Sequence, residues 1–171
     1  KFNTPLHPEQ KKHYVAFAAG SGITPVLSLL KTILRTEPQS RFTLVFGNRS
    51  RASIIFFEEL EAIKNKYLDR FQLIHVLSRE RMDTPLHSGR IDGTKLDALS
   101  KLIPFGTIDE YFLCGPEEMI FCVRDYLEAS HVPKSRIHFE VFTTAGSRAA
   151  KKSTPQETGT PTGPQSHITI K

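Results

Sequence analysis

Five short apolar runs recur along the chain, separated by stretches in which apolar residues return with a helical period. The runs at 13–19 (HYVAFAA), 42–47 (FTLVFG), 71–77 (FQLIHVL), 109–114 (DEYFLC) and 137–142 (IHFEVF) are rich in Phe, Val, Ile and Tyr. Such near-continuous apolar segments suit strands buried on both faces of a parallel sheet. Over 24–35, Val26, Leu29, Leu30 and Ile33 fall at i, i+3, i+4 and i+7, which is one face of a helix. Lys31 and Arg35 lie toward its C-terminal end, where the dipole favours cations. A second helix is predicted over 54–67 with Ser53 as N-cap. A third, over 94–102, places Leu96, Leu99 and Ile103 on one side and offers Thr94 and Asp97 as a loose capping box. A fourth, over 116–129, starts with Pro116 at its first position, Glu117 and Glu118 at the positive end of the dipole, and Met119, Ile120, Val123 and Leu127 as a buried stripe. This alternation predicts an α/β fold, an open parallel five-stranded sheet with helices on both faces.

On such sheets ligands bind at the carboxyl ends of the strands, near the point where strand order reverses. The informative residues fall there. The first run ends in Gly20-Ser21-Gly22-Ile23-Thr24-Pro25. Glycines allow positive φ and close approach of backbone to a ligand, and the following helix N-terminus presents free N–H groups and a positive dipole end to phosphate. Strand, glycine turn and helix in that order form a mononucleotide-binding corner of a Rossmann-like three-layer sandwich. Pro25 stands where the dinucleotide fingerprint has its third glycine, and no Gly-Lys-Ser/Thr follows, so this is not a nucleoside-triphosphate loop. The second run ends in Gly47-Asn48-Arg49, the third in Ser78-Arg79 and the fourth in Cys114-Gly115-Pro116. Four strand ends with small or phosphate-friendly residues carry more weight than the glycine turn alone.

Composition narrows the field. The 171 residues are 39% apolar and 24% charged, an ordinary globular balance. No run approaches a membrane span, and no secretory apolar core is visible. Of the net charge of +5, Arg148, Lys151, Lys152 and Lys171 against Glu157 place +3 in residues 143–171 and leave +2 elsewhere. No basic stripe with interleaved aromatics marks a nucleic-acid surface. Cys114 and Cys122 form no Cys-x-x-Cys pair or disulfide framework, which points to reducing cytoplasm, and two thiols cannot ligate an iron–sulfur cluster. His13, His75 and His138 lack metal-ligand spacing and read as structural; no metal site is expected. Residues 143–166, dense in Thr, Ser, Gly, Pro, Ala and Lys, read as a flexible linker. Residues 167–171 (HITIK) read as the first strand stub of another domain, and the polar segment 1–12 as the tail of a preceding one.

AAGSGITP followed by FGNR, SRE and CGP at successive strand ends resembles the NAD(P)-binding domain of the ferredoxin–NADP reductase superfamily over residues 13–142. Within it, the chain is most similar to the phenylacetate-CoA oxygenase/reductase type. That resemblance implies an FAD-binding domain before this one and a [2Fe–2S] ferredoxin domain after the linker. It implies that the turn Gly20, Ser21, Gly22, Ile23, Thr24 and Pro25 holds the NADPH pyrophosphate, with Thr24 near the nicotinamide. Ser78 and Arg79 would grip the 2′-phosphate, and Asn48 and Arg49 would line the adenosine side. Cys114, with Gly115 and Pro116, would sit beside nicotinamide C4, making Cys114 and Thr24 the catalytic candidates. Glu140 and Phe142 would approach the flavin ring. FAD and [2Fe–2S] are expected in the parent protein and not on this chain. The function implied is transfer of hydride from NADPH to FAD and of electrons through [2Fe–2S] to a partner oxygenase in phenylacetate degradation, with this chain inactive without its FAD domain. The alternatives are a non-catalytic nucleotide-binding sensor or docking module, and the same fold using NADH. At single residues, Ser78-Arg79 has the alternative reading of a solvated turn, with Glu80 following, and Cys114 that of a core thiol; Arg49 reads equally as a surface salt-bridge partner, Cys122 reads as core, and Phe56 and Phe57 read as packing residues.

Overall fold

The computed structural model of the chain describes residues 4–142; the linker and strand stub expected at 143–166 and 167–171 lie outside the described residues. Five strands, β1 (His13–Ala19), β2 (Arg41–Asn48), β3 (Phe71–Leu77), β4 (Glu110–Gly115) and β5 (Ile137–Val141), alternate with four helices, α1 (Ile23–Thr36), α2 (Phe57–Lys66), α3 (Gly93–Ser100) and α4 (Glu117–Ala129). The strands form one sheet in the order β3-β2-β1-β4-β5, and every neighbouring pair is parallel. Strand order reverses between β1 and β4, so the ends of these two strands are the switch point at which an open α/β sheet binds ligands.

Successive strand residues point to opposite faces, and here both faces are apolar. From β1, Tyr14, Ala16 and Ala18 join Val26, Leu30 and Ile33 of α1 and Leu60 of α2 in one cluster. Val15 and Phe17 join Leu96 and Leu99 of α3 and Ile120, Val123 and Leu127 of α4 in the other. That double burial is why the strand runs lack polar alternation. Below the sheet, Glu37 is fully buried and accepts from the Tyr14 hydroxyl (2.7 Å), Ser40 Oγ (2.8 Å) and the His7 N–H (3.1 Å). Thr4 Oγ1 donates to Glu110 at 2.6 Å. Residues 4–12 are thus fastened to the base of this domain.

Helix starts depart from expectation. α2 begins at Phe57, not residue 54, and Ser53 does not cap it. Ser53 instead closes a short 3₁₀ turn, Arg51–Ser53, in a reciprocal capping box with Ser50. The two serines satisfy each other, so the chain leaves that turn extended at Ile54 and re-enters a helix through Phe56, which is left-handed at φ 60°. α3 is capped by Asp92, whose Oδ1 accepts from the Lys95 N–H at 2.9 Å. Thr94 and Asp97 form no box, because the Asp97 carboxylate takes the Tyr126 hydroxyl at 2.6 Å. Pro116 is the N-cap of α4, one position earlier than expected.

Candidate nucleotide-binding site

The glycine turn after β1 is a single 3₁₀ turn, Gly20–Gly22, running directly into α1. Its two glycines answer different needs. Gly20 takes φ +54° with open space around its Cα, the left-handed geometry that favours glycine. Gly22 has an ordinary helical φ of −62°, but a Cβ there would lie 2.2 Å from the Cys114 carbonyl oxygen. Gly22 is therefore a packing glycine. It lets the N-terminus of α1 sit directly against the end of β4 and brings the turn and Cys114 together at the switch point. Ser21 and Thr24 are exposed on the rim, Pro25 is half-buried and Ile23 is core.

At the next corner the β2–β3 pairing continues past the strand ends: Ser78 N donates to Asn48 O at 2.9 Å and Arg79 N to Arg49 O at 2.8 Å. The backbone thereby places Asn48, Arg49, Ser78 and Arg79 side by side. Asn48 Nδ2 is buried without a hydrogen-bond partner, a donor that costs free energy unless something accepts from it. Arg49 and Arg79 are exposed, and neither guanidinium forms an ion pair or side-chain hydrogen bond with a described residue. Glu80 does not neutralise its neighbour Arg79. Its carboxylate accepts from the Arg51 backbone N–H at 2.7 Å and so ties together the loops after β2 and β3. The Arg51 guanidinium lies over Phe57, 5.0 Å from the ring centroid.

Sequence reading missed two cations of this corner. The loop after β3 turns back on itself, with Gly89 N donating to Leu77 O at 2.9 Å. Arg90 therefore returns to the strand end from which Ser78 departs. Arg81, within the same loop, is likewise exposed and without a described partner. The signal available in sequence was the Ser88-Gly89 turn, and Gly89 does adopt φ +95°.

At the β4 end Cys114 is fully buried among residues of the α1 face. Burial, reinforced by the Glu140 carboxylate, pushes its thiol up to about 12. It is a neutral thiol, not a standing thiolate nucleophile. Glu140 pairs with Cys114 across the β4–β5 ladder, and Phe142 N donates to Gly115 O at 3.0 Å. Gly115 is buried, Pro116 exposed, and Phe142 is 42% exposed.

These groups suit a pyridine nucleotide: an open glycine turn at a helix start, an unpaired buried amide, and free guanidinium groups one strand away. Among the described residues no group of three or more His, Cys, Asp or Glu could hold a metal ion, and no helix is long and apolar enough to cross a membrane.

Comparison with known proteins agrees with the geometry. A family model described as the oxidoreductase NAD-binding domain matches residues 17–125. The chain is 44% identical over 152 residues to a subunit of the 1,2-phenylacetyl-CoA epoxidase of Escherichia coli K12, a match covering 88% of this chain and 43% of that protein. It is 36% identical over 136 residues to the ferredoxin reductase component of 3-ketosteroid-9-alpha-monooxygenase of Rhodococcus rhodochrous, covering 79% and 36%. The chain thus spans well under half the length of these relatives. An Amycolatopsis cytochrome P450 reductase structure superposes with a TM-score of 0.70 at 25% identity, covering 84% of this chain and 42% of that one. Ferredoxin-NADP+ reductase from Plasmodium falciparum, at 24% identity, 83% and 58% coverage and a TM-score of 0.63, shares the fold.

Proposed function

The chain belongs to the oxidoreductase NAD-binding domain family, and from that premise we propose that it is the NADPH-binding lobe of a flavin and iron–sulfur reductase of ferredoxin reductase type serving an oxygenase. The observation that carries the donor assignment is the corner at Asn48, Arg49, Ser78 and Arg79, where the guanidinium groups are free and a buried amide lacks an acceptor. Arginine's charge does not titrate and its fork matches a phosphate bidentately.

Bound NADPH supplies hydride from nicotinamide C4, and FAD on the preceding domain is the acceptor. The residues of this chain bind and orient. Gly20, Ser21, Gly22 and Thr24 cradle the pyrophosphate with backbone N–H and hydroxyl groups, while Ile23 and Pro25 set the turn into α1. Arg79, with Ser78, takes the 2′-phosphate, and Asn48 and Arg49 hold the adenosine side. Pro116, with Gly115, edges the nicotinamide side, Cys114 stays behind it as an enclosed neutral thiol and not as a residue that touches the reacting carbon, and Glu140 and Phe142 would face the flavin. Catalysis then rests on holding reacting atoms in near-attack geometry, since the cofactors carry the redox chemistry.

In this reading 1–12 leads from the FAD domain, 13–142 is the nucleotide lobe, 143–166 links to a [2Fe–2S] domain and 167–171 begins it. The names of the relatives support an oxygenase as final acceptor, with phenylacetate breakdown as the setting. Two free thiols favour the cytoplasm. The deciding experiment is Arg79→Ala with both nucleotides. Loss of a hydrogen bond to a charged group predicts NADPH binding weakened about ten- to a hundredfold, with NADH nearly unchanged. Equal losses for the two nucleotides would overturn the 2′-phosphate assignment.

A further inference from the structure

The loop that carries Arg79, Arg81 and Arg90 is folded back on β3 by its own hydrogen bonds. Leu77 bridges Ser88, Met82 N donates to Ser88 Oγ at 3.1 Å, and His87 Nδ1 pairs with His75 O at 2.8 Å. Its tie to a helix comes from Lys95, in the first turn of α3. Lys95 is 7% exposed, and its ammonium donates to the Pro85 carbonyl and, at 2.6 Å, to the Ser88 carbonyl.

Neither α3 nor the core has a use for a cation at this position. A positive charge in the first turn opposes the helix dipole, and burying an ammonium is costly without compensation. No carboxylate of the described residues forms an ion pair with Lys95. Asp92 Oδ1, the nearest candidate in sequence, accepts from the Lys95 backbone N–H instead. Burial accordingly lowers the ammonium's proton affinity, with the Asp92 charge opposing. What the ammonium does obtain is two carbonyls, three residues apart, on one loop. Arg90 lies two residues beyond the second carbonyl, and Arg81 and Arg79 lie on the segment whose Met82 N–H is bonded to Ser88.

We infer that Lys95 is a positioning residue for nucleotide selectivity: by fastening the Pro85–Ser88 segment to α3, it fixes how the loop presents its arginines to the phosphate on the adenosine ribose. The inference rests on the NADPH reading above.

The test is calorimetric titration of the full chain with 2′,5′-ADP and with 5′-ADP as probes, for the wild type, Lys95→Met, Lys95→Gln and Arg79→Ala. Lys95→Met is expected to weaken 2′,5′-ADP about tenfold while 5′-ADP stays within about twofold, and to speed hydrogen exchange at the Gly89 and Met82 amides. Lys95→Gln keeps a donor for one carbonyl and is expected to lose about threefold; it carries the test if the Met variant does not fold. A merely structural lysine would lower stability, or weaken both probes equally, and leave the preference intact; either result overturns the inference. Preference abolished by Arg79→Ala but untouched in both Lys95 variants leaves the NADPH reading standing and the inference refuted. A wild type that binds 2′,5′-ADP no better than 5′-ADP refutes the NADPH reading, and the inference with it.

Discussion

Replacing Gly22 by alanine tests the claim that the glycine turn is shaped first by the strand beside it. The added Cβ would sit 2.2 Å from the Cys114 carbonyl oxygen, 2.6 Å from its carbon and 2.9 Å from Gly115 N. Carbon and oxygen in their closest comfortable contact stand about 3.3 Å apart, so the overlap is near 1 Å. All three obstructing atoms are backbone, and no rotamer change relieves them. Overpacking costs about 1–3 kcal/mol, and a backbone-on-backbone overlap belongs at the upper end, about 3 kcal/mol. Gly20→Ala supplies the contrast. No atom lies within 4 Å of a Cβ there, so the cost is confined to left-handed backbone strain of about 1–2 kcal/mol, reduced by about 0.5 kcal/mol through the stiffer unfolded chain. In urea, 3 kcal/mol at an m of about 2 kcal/mol/M lowers the midpoint by about 1.5 M; the same loss lowers Tm by about 6–12 °C. Gly22→Ala must also tilt α1 away from β4, so nucleotide affinity falls even where the variant is still folded. A Gly22→Ala protein within about 1 kcal/mol of wild type, or one more stable than Gly20→Ala, would refute the packing account.

Stability is expected to fall as pH rises above about 9. Burial raises the Cys114 thiol and the Tyr14 and Tyr111 phenols, so the unfolded chain releases these protons first. Each group then removes up to about 1.4 kcal/mol per pH unit; urea midpoints that stay flat from pH 8 to 11 would contradict it. On the acid side His13 and His75, lowered chiefly by burial, withdraw stability as pH drops below about 6.5, read by the same titration. Glu37→Ala strands the buried Tyr14 hydroxyl, which the carboxylate now accepts from, while Ser40 Oγ keeps the Gln10 carbonyl as acceptor at 3.2 Å, and is expected to cost about 1–3 kcal/mol by chemical denaturation; a neutral result would mean that the network relaxes freely. The purified chain is expected to bind nucleotide yet carry no flavin absorbance and reduce no ferricyanide until an FAD domain is joined ahead of it. Stoichiometric flavin on the isolated chain would sink that division of labour.

Much of this fold is legible because the information is local. β1 runs over His13–Ala19 as its apolar content predicts, and of the stripe Val26, Leu29, Leu30 and Ile33 all but the half-buried Leu29 are fully buried. What sequence hides is competition and distance. Ser53 is a good N-cap by type, but Ser50 claims it first in the 3₁₀ turn. Asp97 fits a capping box until Tyr126, 29 residues later, takes its carboxylate. Gly22 suggests a ligand's approach, whereas its constraint comes from Cys114, far along the chain. Arg90 and Lys95 join the candidate site through a loop closure that no local period announces.

The two ends of the proposed site therefore rest on different physics, and they should vary independently. At the switch point, tolerance is set by backbone against backbone: Gly22 against Cys114, with the buried thiol sealed in the core. Substitution there moves α1 and β4 together, so stability and every mode of nucleotide binding change at once. At the β2–β3 corner the backbone is already satisfied by the Ser78–Asn48 and Arg79–Arg49 hydrogen bonds, and the charges proposed to bind the phosphate are exposed side chains. Exposed arginines can be exchanged with little effect on stability, so donor preference can be retuned without disturbing the fold. Arg79→Ala is accordingly expected to leave the unfolding free energy from urea titration within about 0.5 kcal/mol of wild type while it changes nucleotide selectivity. A large loss of stability in that variant would show that the corner is a structural cluster, and the separation of roles argued here would fail.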